Sequence, residues 1–503
     1  MRPTRYFTLT ASAAALASLL LLGADATPFA NNPVTIVASA SSLSHKSPAF
    51  GGIAPGTDLS KLTYQVTEYT VITSNRSTSS HQSTSTTTTT GSDGRTTSST
   101  TSKSDTSTKQ QSSKHSTVVT TGGNGSVMAP SGERRLEQTT NDIQKLERHF
   151  GSTMELNVNN LPSSAAFRTM PWPSSYWAIY LDGINYRWAS SSEPSATEKY
   201  AKAFGLDPDQ LMTAVSKSTG VLSMTSRSQC TTNADCASKN DGSVCARRDG
   251  QYQGYCIPTW FGICHAWAPA AILEPEPNCA VEHNGVTFQP MDVKALLSEI
   301  YDGANIATVF TGARFNGPDS KDSTDEYGRY TDPSRRDVGP GFMHVALANI
   351  LGRFSSSVVM DVTAGAEVWN QPVYSFKVLS QTEMTPSDAS NQYFGVSTYP
   401  FNSAAQRIMY VESRVSWMIE TFEDGGLVSS GRASKYETSK KYTYLLELDN
   451  DFNILGGEWV GESKTDHPDF LWIPKARPDL SLVTEVGLSY QNVRTLLDKA
   501  TNC

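Results

Sequence analysis

The sequence predicts an α+β domain that carries a cysteine nucleophile on a helix beside an antiparallel sheet, with a disordered Ser/Thr-rich segment in front. Three observations predict this class. Seven cysteines leave one over, and Cys264, at the head of an apolar run, is the one that simple pairing leaves without a partner. The hydrophobic pattern of the 503-residue chain changes from helical spacing to strand-like runs rich in Val, Tyr and Ile toward its end. Ahead of both lies a stretch of Ser and Thr with too few apolar residues to offset the entropy of ordering.

Met1 to Ala26 joins basic Arg2 and Arg5 to the apolar run from Leu16 to Leu22 and a small-residue exit at Ala24-Asp25-Ala26. This is the plan of a cleaved signal peptide, and the chain is expected to be secreted, extracellular or in a cell wall. The apolar run falls short of the roughly 20 residues a membrane span needs, so no membrane anchor is expected. Residues 27–130 are expected to be a disordered Ser/Thr-rich spacer or pro-region, with glycosylation sequons at Asn75 and Asn124. Residues 131–503 have the aromatic and aliphatic content of a folded domain. A formal charge of −8 says little about partners. The chain shows no basic, aromatic-interleaved surface for nucleic acid and no His-Glu-x-x-His zinc-protease string.

Within the domain, Leu136, Ile143, Leu146 and Phe150 recur at helical spacing and predict a surface helix over Arg135 to Phe150. Trp172, Trp177 and Trp188 follow, a density that more often means packing than substrate walls. Cys230, Cys236, Cys245 and Cys256 then crowd into 27 residues among Gly, Asn, Asp and Ser. Such a loop, residues 228–258, cannot bury much core, so two local disulfides are expected there, in any of three connectivities. Cys279 and the terminal Cys503 make the natural third pair, tying an end that otherwise frays.

Gly262 lets the backbone approach closely, and Cys264 opens a short helix reaching Leu273, with Pro269 its one breaker. A thiol at a helix N-terminus feels the positive end of the dipole, which favours the thiolate. The free amides there suit an oxyanion hole. A buried inert thiol is the structural alternative. Met291 to Tyr301 and Phe342 to Leu351 are two more helices. Val368 to Val378, Arg407 to Ile419, Lys441 to Leu448 and Ile454 to Val460 read as strands, the last two joined by the turn Asp449 to Asn453. A nucleophile helix followed by an antiparallel sheet is the general plan of the papain-like fold, and a fold alone supplies no reaction.

A thiol nucleophile needs a base. Of eight histidines, His45, His81 and His115 lie in or beside the spacer. His265 projects about 100° round the helix from Cys264, His149 sits far upstream, and His283 follows Cys279 in a loop. His344 follows a glycine-rich turn and Asp361 comes shortly after it, which gives the chain order Cys, His, acid. Cys264, His344 and Asp361 are therefore the expected catalytic set, with His467 and Asp449 the rival pair. Each histidine has a structural alternative, a hydrogen-bonded place in the core.

The Gly-x-Cys-x-Ala-Trp segment around Cys264 looks like the nucleophile segments of papain-like proteases and of transglutaminases. Val368-Trp369-Asn370-Gln371-Pro372-Val373 and the following Phe376-Lys377-Val378 closely resemble the surface peptide by which plants recognise the secreted transglutaminase elicitors of oomycetes. The variable pair of that peptide is Tyr374-Ser375 here. Pro171 to Trp188, Phe342 to Gly352 and Leu446 to Trp472 extend the likeness over nearly all of the domain. The resemblance implies a calcium-dependent protein-glutamine γ-glutamyltransferase with a papain-like core, made as a secreted precursor. Its implied substrates are proteins with accessible Gln and Lys, and its implied partner is a plant surface receptor that reads the exposed Val368–Val373 epitope.

In such an enzyme the Cys264 thiolate attacks a glutamine carboxamide and a lysine amine resolves the thioester. Trp172, Trp177, Trp260 and Trp267 are candidate walls that shield the thioester from water, although packing is the commoner role of each. Ca²⁺ comes from the resemblance alone. Asp449, Asp451 and Asn453 imitate the first ligands of an EF-hand, but Ile454 and Val460 stand where glycine and the bidentate glutamate belong. Two rival classes use the same residues: a secreted papain-like cysteine protease, and a non-catalytic cell-wall binding or structural protein. Transfer to an amine separates the first rival, and Cys264→Ser the second.

Overall fold

The computed structural model describes residues 142–503, apart from 305, 316–323, 332–334 and 337, together with five short backbone stretches between 34 and 119. The signal peptide at 1–26, the sequons at Asn75 and Asn124, and the spacer other than those stretches lie outside the described residues.

Two hydrophobic cores organise the chain, and the nucleophile helix belongs to the first. That helix, α4 (Cys264–Leu273), is apolar apart from His265, as suits a helix sunk in a core over most of its surface. It packs with α2 (Ala196–Ala203), α3 (Pro208–Thr219), α5 (Pro290–Asp302) and α8 (Tyr490–Thr501) around Trp172, Trp177 and Trp267. Local chemistry fixes each helix start. Ser195 and Glu198 form a capping box on α2, Asp207 caps α3 with Pro208 behind it, and Ser489 caps α8. The helical pattern missed in sequence at α8, Tyr490, Val493, Leu496, Leu497 and Ala500, is its buried face.

The second core lies under a curled antiparallel sheet of eight strands. In chain order these are β1 (Ser164–Ala166), β2 (Thr308–Gly312), β3 (Val359–Asp361), β4 (Asn370–Met384), β5 (Arg407–Met418), β6 (Glu437–Leu448), β7 (Ile454–Trp459) and β8 (Phe470–Pro474). The path runs β2-β8-β3-β4-β5-β6-β7, with β1 on the edge of β4. All four expected strands are present, and β1, β2, β3 and β8 are additions, each too short to show the alternation that marks a half-buried strand. α1 (Asp142–Phe150) and α6 (Pro340–Leu347) cover the inner face of this sheet. A separate small helix, α7 (Pro386–Phe394), ends at Gly395 in the left-handed region.

The cysteine arithmetic holds in detail. Cys230 pairs with Cys245, Cys236 with Cys256 and Cys279 with Cys503, leaving Cys264 free. The four clustered cysteines form a small core of their own, so the disulfides replace the apolar contacts this segment lacks. No helix among the described residues is long and apolar enough to cross a membrane.

Candidate active site

The thiol is positioned by a tight backbone crossing. The segment before α4 runs against Tyr176, whose carbonyl accepts from the Ile263 amide at 2.8 Å. A Cβ at Gly262 would sit 2.5 Å from that carbonyl oxygen and from the Tyr176 ring, so only glycine fits. Ile263 caps the helix without a side-chain acceptor, and its carbonyl takes the Ala266 and Trp267 amides. The first-turn amides are left facing the thiol end.

α4 packs against β4 and β8, and these strands bring the polar groups. The Asn370 Nδ2 and the Val368 carbonyl oxygen each lie 3.8 Å from the Cys264 Sγ. The Trp472 indole donates to the Asn370 Oδ1 at 2.8 Å, which aims the amide nitrogen at sulfur. Asp361 pairs directly with Asn370 across β3 and β4. Its Oδ1 accepts from the Trp369 amide at 2.9 Å and the Thr363 hydroxyl at 3.0 Å. Its Oδ2 is buried without a partner.

Electrostatics reverses one expectation from sequence. The helix end was expected to favour the thiolate, but burial pushes the Cys264 thiol up to about 12, helped by the charges of Glu420 and Asp361 and opposed by Asn370. Desolvation outweighs a dipole worth roughly 0.3–1 kcal/mol. Burial also lifts the Asp361 carboxyl to about 7, against its Trp369 and Thr363 hydrogen bonds. Glu420 rises to about 7 from burial, against the hydrogen bond from Gln371. The resting site therefore holds a protonated thiol that feels the charges of two carboxyls, both raised toward neutrality.

The structure does not bring His344 to this site. The His344 Nδ1 lies 2.9 Å from the Tyr444 hydroxyl on a helix packed against β6 and β7. Burial alone lowers it to about 4, and a facing Asp361 carboxylate would have raised it. The rival pair fails too. His467 sets both ring nitrogens 2.8 Å from backbone carbonyls of Ser463 and Arg335, while Asp449 spends its carboxylate on its own turn, accepting from the Asp451 and Asn453 amides. His265 turns away to Asp302 at 2.9 Å. Of the expected set, Cys264 and Asp361 converge.

Two further corrections concern the Val368–Val373 segment and the tryptophans. Expected as an exposed epitope, the segment enters the sheet as the start of β4: Val368 and Trp369 are half-buried, Asn370 and Gln371 are 5% and 3% exposed, and Pro372 and Val373 are buried. A strand paired on both edges has little side to show. Trp172 and Trp267 are packing residues, donating to the Glu274 and Trp172 carbonyls. Trp177 and Trp260 are buried as well.

Sequence reading placed Asn370 and Gln371 in the epitope and missed their contacts at the site, and it missed Glu420 altogether. The low-degeneracy peptide was the signal for Asn370; Glu420, one residue beyond the Arg407–Ile419 strand, carries none.

The EF-hand imitation is a hairpin turn, since Asp449 also holds the Asn453 side chain at 2.9 Å. Among the described residues three His, Cys, Asp or Glu ligand atoms converge only at Cys230, Cys236 and Cys256, all bound in disulfides. These do not fit a cation that takes oxygen ligands, and no step below passes through a metal.

A free thiol at a helix N-terminus, gripped by a side-chain amide and flanked by carboxyls, defines a cysteine-dependent acyl-transfer enzyme. The family model described as transglutaminase elicitor matches residues 142–503. The crystal structure of the GP42 transglutaminase from Phytophthora sojae is similar at 51% sequence identity, over 73% of this chain and 99% of that one, with a TM-score of 0.66. No curated protein matches. The chain belongs to the transglutaminase elicitor family, and its activity is that of a transglutaminase.

Proposed function

We propose that the chain joins protein glutamine to protein lysine through a thioester on Cys264, with Asp361 in the part a histidine plays in papain-like enzymes. The observation that carries this reading is the unpartnered Oδ2 of Asp361, on the strand paired with Asn370, whose amide reaches the sulfur. The Asp361 carboxylate takes the thiol proton as sulfur attacks the glutamine carboxamide. The C–S bond forms, the C–N bond breaks, and the proton leaves with nitrogen as ammonia. Amides at the start of α4 face the developing oxyanion, and Asn370 orients the sulfur. A thiol held near 12 stays protonated until substrate arrives, which protects it from oxidation. The helix-against-sheet arrangement supports a papain-like core.

The test is incorporation of a labelled primary amine into a glutamine-rich protein by the chain and its Cys264→Ser variant, with and without Ca²⁺. Cys264-dependent labelling is expected. Labelling that survives in the variant overturns the reading, and the calcium arm decides whether the expected Ca²⁺ is needed.

The readings of export, glycosylation and recognition by a plant receptor are also proposals, supported by the family likeness. Burial of Asn370 to Val373 adds a condition: a receptor meets these residues only after the chain is opened. Denatured or digested protein should therefore elicit a response at lower concentration than folded protein, and equal potency would sink this condition.

A further inference from the structure

Crosslinking has a second half-reaction, and the base for the first does not explain how a lysine is chosen over water. The incoming ε-amine is a cation at neutral pH. It must be recognised as a cation, then stripped of a proton, before its nitrogen can attack.

Glu420 meets both requirements. It lies two residues beyond β5, is half-buried, and its Oε1 accepts from the Gln371 Nε2 at 2.7 Å. Gln371 adjoins Asn370, the residue that touches the sulfur. The Glu420 charge acts on both Cys264 and Tyr176, so the carboxyl belongs to the thiol's surroundings. The side-chain oxygen of Gln371, Oε1, is buried with no partner, which sets an empty neutral acceptor beside the carboxylate. An ammonium carries three donors and no acceptor, and the pair offers it the carboxylate of Glu420 and the unmatched amide oxygen of Gln371. Beside them the rings of Tyr176 and Trp369 stand 5.3 Å apart, an apolar flank for the methylene stem of a lysine.

We infer that Glu420, oriented by Gln371, binds the ammonium of the acyl acceptor and takes its proton. The inference rests on the thioester reading above. The ammonium gives one proton to the Glu420 carboxylate, and the neutral amine attacks the thioester carbon. As the C–N bond forms and the C–S bond breaks, sulfur leaves as thiolate. The second amine proton returns to the Cys264 sulfur, and Glu420 releases its own to solvent. Water carries no charge to be recognised, so the same carboxylate favours transfer over hydrolysis.

The test compares the full chain with its Glu420→Gln variant in three assays: ammonia release from a glutamine peptide, incorporation of a lysine-like diamine, and transfer to hydroxylamine, which is uncharged at neutral pH. Loss of one charge-assisted contact predicts a drop of about 10- to 100-fold in kcat/KM for the diamine. Ammonia release and hydroxylamine transfer share the first half-reaction, which the Glu420 charge touches through the thiol, so they should shift together and by less than the diamine rate. A parallel fall of all three in a folded variant, or an unchanged diamine rate, overturns the inference. Should Glu420→Gln not fold, Glu420→Asp keeps the charge and shortens the arm; a raised KM for the diamine alone supports the role, and no change overturns it. Ammonia release that does not depend on Cys264 strikes the thioester reading instead.

Discussion

The surroundings of Asp361 and of His344 are both fully buried, yet they are built to opposite ends. His344 is lodged between aromatic rings, its Nδ1 matched to the Tyr444 hydroxyl. His467 is saturated further, with a carbonyl at each nitrogen and its ring stacked on Trp459. Asp361 keeps one oxygen unmatched beside a thiol that is itself held by contacts of 3.8 Å. A buried polar atom left without a partner costs roughly 1–3 kcal/mol, and a fold tolerates that cost where a substrate will supply the partner. Satisfaction of its polar atoms separates Asp361 from the two histidines.

The sharpest way to break this comparison is to exchange the two residues' fates. Asp361→Asn should lower amine incorporation by about 10²- to 10⁴-fold with the fold retained. His344→Gln should lose stability while the folded fraction keeps kcat within about threefold. A large kcat loss in folded His344→Gln, with Asp361→Asn active, would return the base to the histidine.

A smaller effect is expected at Gly262. Replacing it with Ala drives a Cβ against the Tyr176 carbonyl, and the backbone must yield at a cost of about 1–3 kcal/mol. Because the displaced segment carries Cys264, kcat should fall more than KM rises. A variant with unaltered kcat would show that the crossing does not position the thiol.

The smallest effect is a pH signature of stability. Asp361 titrates near 7 when folded against an ordinary value of 3.8, so the native state binds its proton more tightly than the unfolded state. The resulting stability is fully present below about pH 4 and is lost as pH rises toward 7, the reverse of a salt-bridged aspartate. Asp361→Asn removes this loss. Its unfolding free energy relative to the parent should therefore rise between pH 4 and 7, by an amount on the order of a few kcal/mol at most. A constant difference across that range would mean that the carboxyl is not held protonated.

Much of this was legible in the chain. The odd cysteine, the third disulfide pair, the α4 helix and four strands follow from counting and periodicity, because each depends on local or pairwise chemistry. His344 entered the expected set through chain order, which carries no distance: it satisfies the order Cys, His, acid, yet its helix lies on β6 and β7. The exposure of the segment was misread because polar Asn370 and Gln371 look like surface residues, and only the sheet register shows what they bond. Glu420 was invisible because its role comes from a contact with Gln371 across 49 positions.

The bridge from Cys279 to Cys503 closes a covalent ring over a sequence separation of 224. Every strand from β2 to β8 lies on that ring, and α4 is joined to it by the few residues between Leu273 and Cys279. A single protease cut anywhere along the ring leaves its pieces tethered, so the strand bearing Asp361 cannot drift away from the helix bearing Cys264. In surroundings rich in foreign proteases, such a chain can be nicked and remain one molecule until a reductant opens the bridge.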